Sequence, residues 1–250
     1  VSQAWFSPLE LPLTLEQFCQ LPRNPAYKYE YLRGRVCLSP QPRYFHARLD
    51  LSVERDFGAG QAELRLVQES DWTALEEVKL AAFRHTLPFG ILPSDQRLEA
   101  VRASLKQTRS GGDGPLIGPA SFVAFEPATG HRAERLYGAA LVTLLPMTDP
   151  TSWDGFTWVE PPPPDAIERR LGRPHLTWIF VRPSQTGRGV GAALLQAAVA
   201  GLRSLGYDEL LSTFVLGNDS SLLWHWRMGF QLLAHPGSLR RCRWPVAFGG

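Results

Sequence analysis

Apolar and polar positions change period several times along the chain, and each change marks an element. Glu63 to Gln68 alternates as a strand does, and Ser70-Asp71 then offers a helix cap ahead of Leu75, Val78, Ala82 and Phe83 at helical spacing. Ser94 to Gln107 repeats Leu98, Val101 and Leu105 on one face, which predicts a second helix. A Gly-rich turn from Ser110 to Pro115 precedes two apolar runs, Ser121 to Phe125 and Tyr137 to Leu145, that can pair as antiparallel strands around a loop from Glu126 to Ala133. The order so far is β-α-α-β-β. Further on, His175 to Val181 reads as a strand, Ser184 to Gly191 as a glycine-rich loop and Val190 to Leu205 as a helix. Glu209 to Val215 is a strand again, Ser220 to Met228 a helix ended by Gly229-Phe230, and Gln231 to Leu233 and Leu239 to Trp244 are closing strands. Leu194, Ala198, Leu202 and Leu205 form one apolar stripe, so the helix that carries them must cover a sheet. The pattern predicts an α/β fold, one sheet with helices on both sides.

Two stretches depart from it. Met147 to Arg173 contains Pro161 to Pro164, and a proline run neither donates to a ladder nor continues a helix, so 147–173 is expected as an exposed insertion acting as a stiff spacer. The first 58 residues are rich in proline and aromatics. There Thr14 and Gln17 have capping-box spacing, and Tyr27, Tyr29 and Tyr31 alternate with polar neighbours before Arg33-Gly34 turns the chain into Val36 and Leu38. The organisation expected is a helix and hairpin appendage over 1–58 and one α/β domain over 59–250.

Composition narrows the function classes. With 44% hydrophobic and 20% charged residues in 250, the chain is globular, which excludes collagen, coiled coil and acidic tail. A net charge of +2 indicates neither a nucleic-acid nor a membrane partner. Cys19, Cys37 and Cys242 are odd in number and far apart, so neither a disulfide framework nor a metal site is expected. Val190 to Leu205 is broken by Gln196 and Arg203 and falls short of a membrane span, and Val1 to Glu10 lacks a signal-peptide pattern. A cytoplasmic location fits.

The run Tyr29-Glu30, Gly34, Ser39-Pro40, Pro42 and His46 resembles the opening hairpin of a nuclease family with a restriction-endonuclease-like fold, within 12–46. That family's metal site also needs an acidic residue and a Glu-x-Lys pair on later strands, and no strand predicted after Ala62 to Val67 carries such a pair. The segment therefore reads as structural.

The chemistry concentrates at Thr186-Gly187-Arg188-Gly189-Val190-Gly191-Ala192, between a strand and a helix. Few Cβ atoms obstruct its peptide N–H groups, the helix start adds roughly half a positive charge, and Arg188 supplies another full charge, so the turn suits phosphate. A P-loop requires a lysine that this loop lacks. A dinucleotide fingerprint can be forced onto Gly187, Gly189 and Ala192, but Arg182 to Thr186 is too long an approach, and Asp208 and Glu209 open the next strand where an acid should close it.

Val181-x-Pro183, Gly187-x-Gly189-x-Gly191, Leu194-Leu195, Gly206-Tyr207, Asn218 and Gly229-Phe230 together resemble the GNAT superfamily of N-acetyltransferases, a likeness that reaches back through the β-α-α-β-β order to about residue 62. The resemblance implies a mixed, mostly antiparallel sheet and acetyl-CoA as co-substrate. Its pyrophosphate is expected on the N–H groups of Gly187 to Ala192, with Thr186 at the edge. Its pantetheine arm is expected along Trp178 to Val181, touching Phe180 and Val181, with Asn218 nearby. The N–H of Val181 is expected to polarise the thioester carbonyl while an amine attacks directly, and two neighbouring strands must splay to admit the arm.

Two positions depart from the family. Thr186 stands where Arg or Gln is usual, and His225 where a tyrosine often acts as general acid. An imidazolium can take that role, with a reference pKa of about 6.5, but a histidine packed between Trp224 and Trp226 explains the residue equally. No carboxylate lies on Leu176 to Phe180, which leaves His175 or water as the base. Asp149, Asp154, Glu160 and Asp165 offer negative charge toward a cationic amine, and Arg240, Arg241 and Arg243 a small basic cluster. The expected acceptor is a small-molecule amine or a protein amino group, and the expected assembly a monomer or homodimer. A non-catalytic acetyl-CoA-binding sensor or interaction protein is the alternative.

Overall fold

The computed structural model describes residues 9–21, 27–32, 34–40, 44–129, 133–148, 158–215 and 218–233. Two compact units divide the chain, one formed by 1–44 with 215–217, the other by 45–214 with 218–250.

In the smaller unit β1 (Leu9–Leu11), β2 (Tyr27–Leu32) and β3 (Arg35–Pro40) form an antiparallel sheet in the order β1-β3-β2. Helix α1 (Leu15–Gln20) opens with the expected capping box: Thr14 Oγ1 accepts from the Gln17 N–H at 3.2 Å, and Gln17 Oε1 accepts from the Thr14 N–H at 2.9 Å. The Phe18 ring lies 5.7 Å from that of Tyr31.

The larger unit is built on a seven-stranded sheet. Its strands are β4 (Tyr44–Asp50), β5 (Glu63–Leu66), β6 (Phe122–Glu126), β7 (Arg135–Pro146), β8 (Gly172–Val181), β9 (Glu209–Val215) and β10 (Gln231–Leu232), in the spatial order β10-β4-β9-β8-β7-β6-β5. Among the described pairings β8–β9 is parallel and the others antiparallel. The boundary expected at residue 58 differs. Residues 44–50 enter the large sheet because Ala47 and Leu49 bury their side chains while Arg48 and Asp50 stay in water, a half-buried strand pattern.

Helices α2 (Trp72–Ala82) and α3 (Ser94–Arg109) cover one face of this sheet and α4 (Val190–Ser204) covers the other, while α5 (Asp219–Arg227) follows β9. Leu194, Ala198 and Leu202 are fully buried, so the predicted stripe is the contact face of α4. Truncating one such leucine to alanine costs about 2–5 kcal/mol.

The proline segment is not a free spacer where it is described. Ala166 is buried, Tyr207 Oη donates to Ile167 O at 2.8 Å, and Trp158 Nε1 donates to Leu144 O at 2.8 Å. Asp149, Asp154, the loop centre at 130–132, and the predicted strand Leu239 to Trp244 with its arginines and Cys242 lie outside the described residues. Among the described residues no helix is long and apolar enough to cross a membrane, and no group of three or more acidic, histidine or cysteine side chains is placed to hold a metal.

Candidate functional site

Strands β8 and β9 pair only at His175↔Leu211 and Leu176↔Ser212, yet β8 continues to Val181 and β9 to Val215. Past that rung the two strands part, and a slot opens between their C-terminal halves. The opposite edge of β8 stays paired, from Gly172↔Pro146 to Val181↔Gly138.

Alternation along that antiparallel ladder fixes which backbone groups face the slot. The Arg182 N–H donates to Tyr137 O at 2.7 Å, so Arg182 and, two residues back, Phe180 direct their N–H and C=O to β7. Val181 and Ile179 therefore direct theirs into the slot. Phe180 also turns its ring toward Phe83, 6.5 Å between centroids, so of the two residues expected along the carrier only Val181 offers a backbone donor.

The loop after β8 carries the second part of the site. A helical turn over Pro183–Gln185 leads to Gly187 and Gly189, whose φ angles of +80° and +75° are the left-handed region that glycine tolerates without strain. Helix α4 then starts at Val190, with no side chain capping it. Among the described residues none accepts a hydrogen bond from the six amides of Gly187 to Ala192; the first amide used inside the helix is that of Ala193, donated to Gly189 O at 2.9 Å. Unsatisfied donors at a helix start, with the dipole behind them, form an anion site. Arg188 is exposed beside them and makes no ion pair among the described residues. Thr186, the departure from the family pattern, only approaches Arg182 O at 3.5 Å.

A brace unmarked by any sequence signal for this role holds the loop. The Gly60 N–H donates to Gly189 O at 3.2 Å, and a Cβ on Gly189 would stand 2.3 Å from Gly60 N. Opposite, the Trp224 indole packs on Gly191, its Nε1 3.3 Å from where a Cβ would be.

The two histidines differ from each other in surroundings. His225 is buried on the α5 side of the sheet, stacked on Phe214 at 4.4 Å and edge-on to Trp224 and Phe230. Its Nδ1 faces Ser221 O at 2.7 Å, and a carbonyl only accepts, so Nδ1 carries the proton and Nε2 faces Ser212 Oγ at 2.8 Å. Burial pushes its pKa down to about 4, against the Ser221 carbonyl that favours the charged form. With that shift the ring is neutral at neutral pH, which agrees with the packed reading of His225 rather than with an imidazolium acid. Asn218 is equally committed, since Oδ1 caps α5 by accepting from the Ser221 N–H at 3.1 Å and Nδ2 donates to Leu87 O at 3.1 Å.

His175 sits on the first of the two rungs that pair β8 with β9, with Nδ1 3.0 Å from Thr177 Oγ1 and Nε2 3.1 Å from Thr213 Oγ1. Burial, then the neighbouring His46 and His225, push its pKa down to about 3. On the same face an aromatic wall of Phe83, Phe89, Trp178 and Phe180 surrounds Lys79, which is fully buried with Nζ 3.0 Å from the Trp178 ring centroid and 2.7 Å from Ser104 Oγ. Burial holds this amine well below the usual lysine range. Neither the wall nor Lys79 is separable from ordinary helix residues in the sequence, where Lys79 stands next to the apolar stripe of Leu75, Val78 and Ala82.

A sequence profile of the acetyltransferase (GNAT) family matches residues 155–230. The chain is similar to L-methionine sulfoximine/L-methionine sulfone acetyltransferases of Pseudomonas paraeruginosa and Pseudomonas aeruginosa, 35% identical over 54 residues, or 22% of this chain. It spans about a third, 31%, of the length of these curated relatives. Among solved structures it is similar to the PaiA N-acetyltransferase from Thermoplasma acidophilum in complex with coenzyme A, at 16% identity over 71% of this chain and 94% of that one, TM-score 0.46. It is also similar to a GNAT family acetyltransferase from Brucella melitensis in complex with acetyl-CoA, at 20% identity over 70% of this chain and 88% of that one, TM-score 0.43.

Proposed function

We propose that this chain, whose residues 155–230 match the profile of the acetyltransferase (GNAT) family, transfers an acetyl group from acetyl-CoA to a primary amine, both substrates being bound at once. The observation that carries this reading is the slot between β8 and β9, which leads from the six amides of Gly187 to Ala192, without an acceptor among the described residues, to the inward N–H of Val181. A diphosphate fits such a row of donors, with Arg188 adding charge, and a chain of amides fits the unpaired edge of β8 as an extra strand would. Acetyl-CoA supplies the thioester acetyl group. The Val181 N–H is the dipole placed where negative charge develops on a carbonyl oxygen, and His175, neutral at physiological pH, is the group on β8 able to take a proton.

A small-molecule amine is the favoured acceptor, because the curated relatives are named for small amino-acid-like substrates. The test has two arms. Calorimetry should give saturable binding of acetyl-CoA and none of NADH, and a thiol-release assay across an amine panel should then find turnover. Absence of acetyl-CoA binding overturns the reading. One observation favours a second reading, a non-catalytic acetyl-CoA-binding protein: His225 is not an acid at neutral pH. Binding without release of thiol for any amine would select it.

A further inference from the structure

A continuous chain of hydroxyls runs through the sheet interior to His175, and its direction can be worked out by counting protons. Thr143 Oγ1 is 2.8 Å from Asp113 O, which only accepts, so Thr143 donates there. Thr143 Oγ1 and Thr177 Oγ1 are 2.8 Å apart, and since the Thr143 proton is used, that of Thr177 goes to this contact or to the His175 carbonyl at 3.3 Å. Thr177 then has no proton left for His175 Nδ1 at 3.0 Å, so Nδ1 must donate to it. A neutral ring holds one proton, which leaves Nε2 bare and 3.1 Å from the Thr213 hydroxyl. Thr213 lies on β9 one residue beyond Ser212, the last residue paired with β8, and is only half-buried. It stands where the slot begins.

We propose that Thr143 and Thr177 are positioning residues that hold His175 in the Nδ1–H tautomer, so that the Thr213 hydroxyl relays the proton of the acceptor amine to Nε2. This rests on the acetyl-transfer reading above. As the amine nitrogen bonds to the acetyl carbon it gives a proton to Thr213 Oγ1, and the proton already on that oxygen passes to His175 Nε2. The carbon–sulfur bond breaks, the thiolate takes a proton from solvent, and the imidazolium returns one to solvent after the product leaves. Protons and charge balance without a further reactant. The arrangement also supplies what the sequence lacks, a base on a strand with no carboxylate. Burial, which pushes the His175 pKa down to about 3, agrees with the neutral ring that the proton count requires and makes the imidazolium a short-lived species that readily gives its proton up.

The test reads the tautomer directly and does not depend on finding the acceptor. Long-range nitrogen–proton spectra of the full chain labelled at histidine, assigned with His175→Gln, should show protonated Nδ1 and bare Nε2 on His175. Thr177→Val should move the proton to Nε2, and Thr177→Ser should restore it. In turnover with an amine from the panel, Thr213→Val should lower kcat by about a hundredfold with the KM for acetyl-CoA unchanged, and Thr213→Ser should recover most of it. An Nε2–H tautomer in the wild type, or wild-type kcat in Thr213→Val, overturns the proposal. Acetyl-CoA calorimetry on the same proteins reports separately on the parent reading, because a chain that fails to bind it still has a measurable His175 tautomer.

Discussion

Alanine at Gly189 and alanine at Gly187 separate the phosphate-loop account from ordinary loop strain. Both glycines have positive φ, +75° and +80°, so a side chain at either costs about 1–2 kcal/mol of backbone strain. Only Gly189 adds a clash. Its Cβ would stand 2.3 Å from Gly60 N, 2.8 Å from Gly60 Cα and 3.1 Å from Gly58 O, while one on Gly187 meets nothing within 4 Å. The atoms met belong to backbone, so no rotamer relieves the contact and the Gly60 N–H bond to Gly189 O must open, a further loss of about 0.5–1.5 kcal/mol. Gly187→Ala should therefore lower Tm by roughly 2–8 °C and Gly189→Ala by roughly 3–14 °C. The decisive readout is affinity. Moving the brace turns the amides of the helix start, and misaiming one hydrogen bond to a charged oxygen, worth about 1.5–3 kcal/mol, weakens acetyl-CoA about 10- to 150-fold. Calorimetry well below each Tm measures this. Wild-type affinity in Gly189→Ala, or equal losses in both variants, would refute the reasoning.

The buried histidines make stability depend on pH in a defined window. His175 and His225 have folded pKa values of about 3 and about 4, below the unfolded value of about 6.5, so the unfolded chain binds the extra protons. Stability should be full above pH 6.5 and fall as pH drops toward 4, by about 1.4 kcal/mol per unit for each histidine; urea melts should show it, with the slope roughly halved in His225→Gln, and a flat profile counts against the burial argument. Lys79→Met should leave stability within about 1 kcal/mol of the wild type or raise it, because among the described residues the buried amine has one hydrogen bond, to Ser104 Oγ, with the Trp178 and Phe89 rings and the charge of Asp113, to offset its desolvation. A loss above about 3 kcal/mol in thermal or urea unfolding would mean that the Lys79 contacts outweigh that cost.

What could be read in advance was what lies close together in the sequence. The α4 stripe, the glycine loop and β8 each depend on neighbours a few residues away, and the structure has all three. The entry of β4 into the large sheet was harder, since Ala47-Arg48-Leu49-Asp50 is a short alternation following a hairpin that already had a partner. Strand pairing is a long-range choice, and a seven-residue strand says little about whose edge it joins. The slot was foreseen only through the family resemblance; its cause, two rungs of pairing and then divergence, has no local signature. The hydroxyl chain shows the limit most clearly. Thr143, Thr177 and Thr213 look like ordinary β-branched strand residues, and only the pairing of Thr143 with His175 between β7 and β8, and of β8 with β9, brings them together.

Residue-resolved amide hydrogen exchange with and without acetyl-CoA tests the account where it is most exposed. The amides of Gly187 to Ala192, which find no acceptor among the described residues, and those of Ile179 and Val181 in the slot should gain protection together on adding the thioester, while Phe180, already bonded to β7, should change little. Protection confined to other regions, or none at saturating acetyl-CoA, would contradict it.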